Sequence, residues 1–416
     1  MPIFHLSYHI FAPVSPALQE NEPASEKTYR RDITKGAWTM REVVRIMQAG
    51  DLHLGTPFSG SGFPVEKARK RRRELLGTFR KLVEAVVEQK AEILLLTGDL
   101  FEAEWVSEAE VVEVRQLLAG LNRPVLITPG NHDCLQAGGP YSYGEWSDNV
   151  HIFGPEVGAV TFETYNLTVH GYGYGARWLR ENPFQNYQVP QDGGLHIVMI
   201  HGSFEAPEGT PYLPITAVDV RNIGADYAAF GHYHQANVLL DEAGLMQAAY
   251  SGSLEPLGYD EPGEHGAFLL EVTRGGARVE WLPLAQRAYR LLDVDISGAQ
   301  SLFDIVEKVN GAVPAESKGR DLLEITLSGA LDPSLILDRD DLLERLQGTA
   351  YHLRLTDATH PDIDGDAFAA HSAQGRYVAR LRERLDNETD EAKRRTLERA
   401  LQLGLLAYER GKVVNA

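Results

Sequence analysis

The chain has little cysteine and no long apolar run. Cys134 is its single cysteine, so an intrachain disulfide is excluded and a cytoplasmic location is expected. No apolar run approaches the roughly 18 residues that span a bilayer, so no membrane association is expected. The first residues lack a basic region followed by a clean apolar one, so no signal peptide is predicted.

Positive charge is also scarce. Lys and Arg number 40 against 59 Asp and Glu, and the net charge is −19 at pH 7. This balance argues against a protein coated with nucleic-acid-binding charge. It does not exclude a nuclease, because bound cations and a local basic patch can oppose the overall sign.

The length of 416 residues allows two or three domains at roughly 100–200 residues each. Residues 1–39 are polar and Pro-rich, and they are expected to be a disordered extension unless Met40 is the true start. Residues 40–286 alternate strand-like runs with helical patterns, which predicts an α/β domain with sheets inside and helices outside. Residues 287–360 read as strand, helix, strand, helix, strand, a small α+β cap module. Residues 361–416 read as an acidic linker followed by two amphipathic helices.

Two helices of the first large domain have clear sequence signals. One is predicted from about Glu66 to Gln89, because apolar residues recur there at helical spacing. The other is predicted to begin at Ser107, with Glu110 completing a capping box.

Five short polar motifs lie at or just beyond the ends of strand-like runs, the edge where open α/β sheets bind ligands. They are DLH (51–53), GD (98–99), GNHD (130–133), HG (201–202) and GHYH (231–234). Residues i and i+2 of an extended segment share a face, so Asp51 and His53 can reach one ion together. His232 and His234 can converge in the same way.

The candidate ligands in these motifs mix carboxylate, imidazole and amide groups. They are Asp51, His53, Asp99, Asn131, His201, His232 and His234. Such an oxygen and nitrogen set suits Mn, Fe or Zn better than Mg or Ca. Seven ligands exceed the need of one ion, so we expect two divalent ions with one bridging carboxylate.

The sequences of the motifs resemble those of the calcineurin-like metallophosphoesterase superfamily, and within it the DNA-repair exonuclease branch of SbcD-like and YhaO-like nuclease subunits. The segments that carry the resemblance are DLHLG (51–55), TGDLF (97–101), PGNHD (129–133), MIHG (199–202), FGHYH (230–234), PYLPI (211–215), YSGSLEP (250–256) and EPGEHGAFLLEV (261–272). The resemblance covers the first large domain well. It implies a layered α/β fold, a β-sandwich core flanked by helices.

The resemblance also implies a role for each motif residue. Asp51, His53 and His234 would bind a first ion, Asn131, His201 and His232 a second, with Asp99 bridging, His132 facing the scissile phosphate, and Mn²⁺ as the expected metal. Glu102 departs from the pattern, because the family often has Asp or His at this position. The departure leaves open which residue supports His132, a role that a glutamate could still fill.

Residues 67–73 read KARKRRR, a basic run at the start of the first helix. A clamp on the phosphate backbone of DNA, made by Arg71, Arg72 and Arg73, is one interpretation. A solvated helix face is the other. Proximity to the first motif favours the clamp. Cys134 is interpreted as a packing residue, because the metal chemistry needs no thiol.

The expected function is a metal-dependent DNA nuclease, exonuclease or endonuclease, in DNA repair or recombination, in which two metal ions activate a hydroxide. The alternatives are a phosphodiesterase for nucleotides or another small phosphoester, and a non-catalytic scaffold that has lost its metals. The resemblance adds an SMC-like coiled-coil ATPase as a partner that the C-terminal helices would dock, unless they pack on the module before them. Homodimerisation is left open.

Overall fold

The computed structural model describes residues 7–10, 43–59, 62–240, 246–332, 335, 337–362, 369 and 371–410. Of the expected N-terminal extension, only residues 7–10 lie within this part, as a strand, and most of the acidic linker lies outside it. The chain divides into two compact units, residues 1–286 and 287–416. Within the described ranges, no helix combines the length and apolar character that crossing a membrane requires.

The described part of the first unit contains strands and three helices. Its described strands are β1 (Ser7–Ile10), β2 (Val44–Ala49), β3 (Ile93–Leu96), β4 (Val125–Ile127), β5 (Val150–Ile152), β6 (Gly158–Phe162), β7 (Leu167–Gly171), β8 (Leu195–His201), β9 (Ser203–Phe204), β10 (Pro214–Ile215), β11 (Tyr227–Gly231), β12 (Asn237–Leu240), β13 (Met246–Tyr250), β14 (Gly266–Thr273) and β15 (Gly276–Pro283). Its helices are α1 (Val65–Glu88), α2 (Glu108–Gly120) and α3 (Ala217–Ile223), and short 3₁₀ turns lie at Pro140–Ser142 and Glu163–Tyr165.

Thirteen of these strands form one sheet, with the main order β5-β4-β3-β2-β14-β15-β13-β11-β8-β7-β6 and with β12 joining β13 to β1. Strands β2 to β5 pair in parallel, and so do β7, β8, β11 and β13. The antiparallel hairpin β14–β15 connects the two parallel blocks. The carboxyl ends of the strands within each block therefore share one edge of the sheet.

The sheet curls so that its two blocks face each other across a buried core. Ile46 of β2 and Ile197 of β8 belong to that shared core. Phe79 of α1 and Val114 of α2 cover the outer face of the first block, and Ile223 of α3 covers that of the second. The expected layered α/β fold with helices outside is confirmed.

The predicted helix starts agree with the structure. Helix α1 begins one residue before the predicted Glu66. At α2, the hydroxyl of Ser107 accepts a hydrogen bond from the backbone N–H of Glu110, 3.3 Å away. The carboxylate of Glu110 accepts one from the backbone N–H of Ser107 at 2.8 Å. The predicted capping box is confirmed, and it satisfies two N–H groups that a helix start leaves unpaired.

The second unit contains β16 (Tyr289–Asp295), α4 (Leu302–Ala312), β17 (Leu322–Ser328), β18 (Ala330–Leu331), α5 (Arg339–Arg345), β19 (His352–Asp357), β20 (His360–Pro361), α6 (Ala373–Asn387) and α7 (Glu391–Arg410). Strands β16, β17 and β19 pair in that order and in parallel. Helices α4 and α5 are therefore crossover connections. The sequence predicted the order of these elements but not their parallel pairing.

Candidate metal centre

The five motifs meet at the carboxyl edge of the curled sheet. Each follows or completes a strand: β2, β3, β4, β8 and β11 lead into Asp51, Asp99, Asn131, His201 and His232 respectively. Because neighbouring parallel strands end at the same edge, segments far apart in sequence become neighbours in space.

The backbone at this edge is held in an unusual conformation. The φ angles of Asp51, His53, Asp99 and His232 are 51°, 44°, 47° and 109°. Non-glycine residues rarely adopt such values, which cost about 1–3 kcal/mol each and cluster at functional sites. Backbone hydrogen bonds offset the cost: Asp51 N–H donates to the Gly98 carbonyl at 3.0 Å, and His53 N–H to that of Asp99 at 2.9 Å.

Potential ligand atoms converge in overlapping groups. Three groups have ligand atoms within 4.8 Å of one another: Asp51, His53 and His234; His53, Asp99 and His132; and Asp99, His201 and His232. Oδ2 of Asp99 lies 3.7 Å from Nε2 of His53 and 3.3 Å from Nε2 of His201. Oδ1 of Asn131 lies 3.0 Å from the same His201 nitrogen. The structure thus brings all seven predicted ligands together, with Asp99 between two groups.

The geometry of His53 and His234 fits a bound cation. Nδ1 of His234 donates to Oε1 of Glu261 at 2.7 Å, and Nδ1 of His53 lies 3.3 Å from Oε2 of Glu102. These carboxylates place the proton on Nδ1 and direct the lone pair of each Nε2 into the site. The two Nε2 atoms are 3.1 Å apart. With both lone pairs directed into the site, these two nitrogens would hold one cation between them.

His201 is oriented in the same way. It is fully buried, and its Nδ1 donates to the Thr97 carbonyl at 2.9 Å, so that Nε2 faces Asp99 and Asn131. A side chain at Gly231 would overlap the carbonyl oxygen of Thr97, so this motif glycine is required by close backbone approach.

His132 lies at the open side of the site. Its side chain is 32% exposed, whereas the side chains of Asp99 and His53 are almost fully buried. Its Nδ1 donates to Glu102, with distances of 3.0 and 2.9 Å to the two carboxylate oxygens. Glu102, whose role the sequence left open, is therefore the partner of His132 and also contacts His53.

The electrostatics around two histidines of the site favour positive charge. Burial lowers the pKa of His201, but the charge and hydrogen bond of Asp99 outweigh it and raise that pKa to about 9. Burial also lowers the pKa of His132, but the hydrogen bond that it donates to Glu102 and the charge of Asp99 raise that pKa above its usual value, with Arg177 opposing them. Buried carboxylates thus stabilise cationic groups here, as they would a divalent ion.

Glu261 is a site residue that the sequence reasoning missed. Besides His234, it binds the hydroxyl of Ser253 at 2.8 Å and the backbone N–H of Leu257 at 3.0 Å through Oε2. Burial raises the pKa of Glu261, but the hydrogen bond to His234 is among the effects that bring it to about 2. Its segment carried the family resemblance, but no spacing rule linked it to a particular histidine.

Asp133, the last residue of the GNHD motif, shapes the loop instead of facing the centre. Its carboxylate accepts hydrogen bonds from the backbone N–H groups of Gly130 at 2.7 Å and Leu100 at 2.8 Å, and from the hydroxyl of Tyr141 at 2.7 Å. It ties the loops that carry Asn131 and Asp99 to each other. Burial and the charge of Asp99 raise the pKa of Asp133 to about 6.

The structure does not place Arg71 where it could contact DNA. Its side chain is fully buried, and Nη1 lies 2.7 Å from carboxylate oxygens of both Glu74 and Glu255. Nη2 donates to the carbonyl of Pro256 at 2.9 Å. Arg71 therefore joins α1 to the segment after β13, and the expectation that it binds phosphate is corrected.

The other two arginines of the basic run differ from each other. Arg72 is partly buried, and it donates to the Glu110 carboxylate and to the Trp105 carbonyl, each at 2.7 Å. Arg73 is exposed. Of the three arginines, Arg73 has the exposure that a contact with DNA requires.

The chain is similar to several known proteins. Residues 44–236 match the calcineurin-like phosphoesterase family. The chain is 32% identical over 347 residues to the uncharacterized metallophosphoesterase YhaO of Bacillus subtilis (strain 168), covering 76% of this chain and 82% of the relative. It is 27% identical over 332 residues to the DNA double-strand break repair protein Mre11 of Methanopyrus kandleri, covering 66% of each. The crystal structure of a dimetal phosphatase from Danio rerio is similar over 58% of this chain and 99% of that one, with 10% identity and a TM-score of 0.35.

Proposed function

The chain belongs to the calcineurin-like phosphoesterase family, and we propose that it is a two-metal nuclease that hydrolyses DNA phosphodiester bonds in repair or recombination. The observation that carries the two-metal proposal is the position of Asp99. One carboxylate oxygen of Asp99 lies within 3.7 Å of ligand nitrogens from two different groups, on His53 and His201. A bridging carboxylate needs this placement.

The proposed ligand sets follow from these groups. One ion would be held by Asp51, His53 and His234, the other by Asn131, His201 and His232, and both by Asp99. Bound divalent ions would supply an activated water and neutralise charge on the phosphate. The mixed nitrogen and oxygen ligands suit Mn, Fe or Zn, and among these Mn²⁺ is proposed from the family resemblance.

His132 is the proposed general acid. Its hydrogen bond to Glu102 fixes the proton on Nδ1 and leaves Nε2 to interact with the phosphate or the leaving oxygen. The raised pKa of His132 keeps a larger fraction of the imidazole protonated near neutral pH. Glu102 thus acts through His132 and is a positioning residue.

Sequence similarity and the length of the chain support the proposal that the substrate is DNA. A relative at 27% identity is named for the repair of DNA double-strand breaks, and the chain continues well beyond the family match at residue 236. We infer that the second unit contributes to DNA binding. In addition, we propose a cytoplasmic enzyme whose helices α6 and α7 dock a coiled-coil ATPase. Leu381, Leu385 and Leu405 of these helices are already buried, which favours packing within the unit as the alternative.

A small phosphodiester is the second candidate substrate, and one observation favours it. A cavity of about 600 Å³ adjoins the metal centre and is lined by His232, Tyr233, His234, Gln235, Asn237, Asp260 and Glu261. Cavities of about 300–1,000 Å³ typically hold small ligands.

One assay separates these functions. The full chain with Mn²⁺ is offered end-labelled duplex DNA, single-stranded DNA and bis(p-nitrophenyl) phosphate side by side. The nuclease proposal expects cleavage of DNA and of the small diester. Cleavage of the small diester alone supports the phosphodiesterase, and the absence of all hydrolysis would overturn both.

Two variants and the metal content test the ligand assignment. Asp99→Asn should abolish hydrolysis of every substrate, whereas the exposed Asp148→Asn should leave it unchanged. Elemental analysis should find two metal equivalents per wild-type chain. A wild-type chain that binds no metal would identify a scaffold instead of an enzyme.

A further inference from the structure

Two tryptophans near the metal centre are exposed. The side chain of Trp105 is 54% exposed and that of Trp178 is 63% exposed. Trp146 and Trp281, by contrast, are partly buried and pack against core clusters. Exposed aromatic faces of this kind are available for stacking with nucleic-acid bases.

Trp105 is anchored to the residues of the metal centre. It lies in the turn that begins at Glu102, and its backbone N–H donates to the Glu102 carbonyl at 2.9 Å. Its own carbonyl is held by Arg72 at 2.7 Å. The Glu102 side chain holds His132. The backbone that carries this indole therefore lies within one turn of Glu102, the partner of the proposed acid.

Trp178 lies on a second segment that reaches the same centre. The next residue, Leu179, is bridged to Tyr212, and its carbonyl accepts from Leu213 N–H at 2.7 Å. The Tyr212 ring lies against the imidazole of His232, with ring centroids 5.1 Å apart. Trp178 is thus carried by a segment in contact with the other proposed ion site.

A salt bridge joins the two segments. Nη1 of Arg177 lies 2.9 Å from Oε1 of Glu104, and these side chains are 49% and 63% exposed. An ion pair this exposed contributes little to stability, so Arg177 can exchange Glu104 for another anion at small cost. The positive charge of Arg177 already acts on the His132 imidazole.

We propose that Trp105, Arg177 and Trp178 form a subsite for unpaired nucleotides beside the metal centre. The inference rests on the proposed nuclease function and adds where the strand is held. Bases stack on the two indoles, and Arg177 leaves Glu104 to bind a phosphate near the scissile one. The exposed rings are accompanied by an ion pair instead of a continuous apolar patch. This mixture suits a strand of alternating bases and phosphates better than an apolar protein surface.

Binding is tested without cleavage, on the full chain in EDTA with fluorescent oligothymidylate. Trp105→Ala and Trp178→Ala should each weaken binding by about 5- to 150-fold, the range for loss of one stacked base. Trp178→Phe should retain most of the affinity, whereas Trp178→Leu should not, because stacking needs an aromatic face. Arg177→Ala should make the slope of log affinity against log salt concentration less steep, by the amount expected for the loss of about one phosphate contact. Arg274→Ala is the control, since Arg274 is also an exposed arginine in an ion pair, with the largely buried Asp226, at the far end of a strand.

Hydrolysis of bis(p-nitrophenyl) phosphate with Mn²⁺ separates a binding role from a structural one. Trp105→Ala and Trp178→Ala should hydrolyse this small diester at the wild-type rate, because it carries no neighbouring nucleotide to stack on the indoles. Equal losses on the small diester and the oligonucleotide would show that the substitutions only deform the loops, and would overturn the subsite. Wild-type affinity for the oligonucleotide in both tryptophan variants would also overturn the subsite, but it would leave the proposed nuclease function standing. A wild-type chain that cuts no DNA would instead reject the proposed function.

Discussion

The carboxylate of Glu102 accepts a hydrogen bond from Nδ1 of His132 at 2.9 Å and lies 3.3 Å from Nδ1 of His53. Burial raises the pKa of Glu102, but its hydrogen bonds to the two imidazoles outweigh burial and bring it to about 2. The group is therefore ionised at neutral pH, and one carboxylate orients both a proposed ligand and the proposed acid.

Replacing Glu102 should impair catalysis without unfolding the chain. Glu102→Gln should lower kcat for bis(p-nitrophenyl) phosphate by about 10- to 100-fold, the usual effect of losing a carboxylate behind a site histidine. Glu102→Asp should recover part of the rate, and the exposed Glu108→Gln should behave as wild type. A wild-type kcat in Glu102→Gln would show that the carboxylate has no role in positioning.

Metal binding should stabilise the first unit. A ligand that binds the folded state at about 100 times its Kd adds about 2.7 kcal/mol to the free energy of unfolding. Thermal unfolding should therefore shift upward on addition of Mn²⁺ and return with EDTA. In Asp99→Asn the shift should be largely lost, because the proposed bridging carboxylate is absent. A wild-type Tm that changes with neither Mn²⁺ nor EDTA would contradict the metal assignment.

Arg71 should matter for folding. Its guanidinium is buried between Glu74 and Glu255, and truncation leaves buried carboxylates without their cation. Arg71→Ala should lower the free energy of unfolding by about 3–5 kcal/mol. Arg73→Ala, on the exposed side of the same helix, should change it by less than about 0.5 kcal/mol. Urea unfolding of the two variants checks this, and equal stabilities would refute the structural role of Arg71.

The unfolding free energy should depend on pH through His170. Burial, aided by the charge of His196, lowers the pKa of His170 to about 4, against about 6.5 for an unperturbed imidazole. The hydroxyl of Tyr187 donates to Nδ1 of His170 at 2.7 Å, which requires the neutral ring. As pH falls, the unfolded chain therefore binds this proton before the folded chain does. The contribution of His170 to the free energy of unfolding is fully present above about pH 6.5 and is lost as pH falls toward about 4.

The His170→Gln variant isolates this contribution. Its free energy of unfolding, measured by urea titration at several pH values, should fall less steeply between pH 6.5 and 4 than that of the wild type. The matched variant His371→Gln, at an exposed histidine, should keep the wild-type slope. Parallel curves for His170→Gln and the wild type would contradict the linkage.

The sequence alone determined the features that depend on short-range patterns. Apolar spacing predicted α1, the Ser107 and Glu110 pair predicted the start of α2, and strand-end motifs predicted the seven residues that the structure brings together. These signals hold because helix periodicity, capping and the alternation of extended chain act over a few residues.

Only the tertiary structure decided which distant groups meet. Glu261 and His234 are linked by the packing of the segment after β13. In sequence, Arg71 cannot be distinguished from the exposed Arg73 of the same basic run, but it lies on the buried face of α1 opposite Glu255. The parallel pairing of β16, β17 and β19 is likewise set by contacts between strands. Long-range packing chooses among faces and partners that local sequence leaves equivalent, because burial and charge compensation depend on the whole fold.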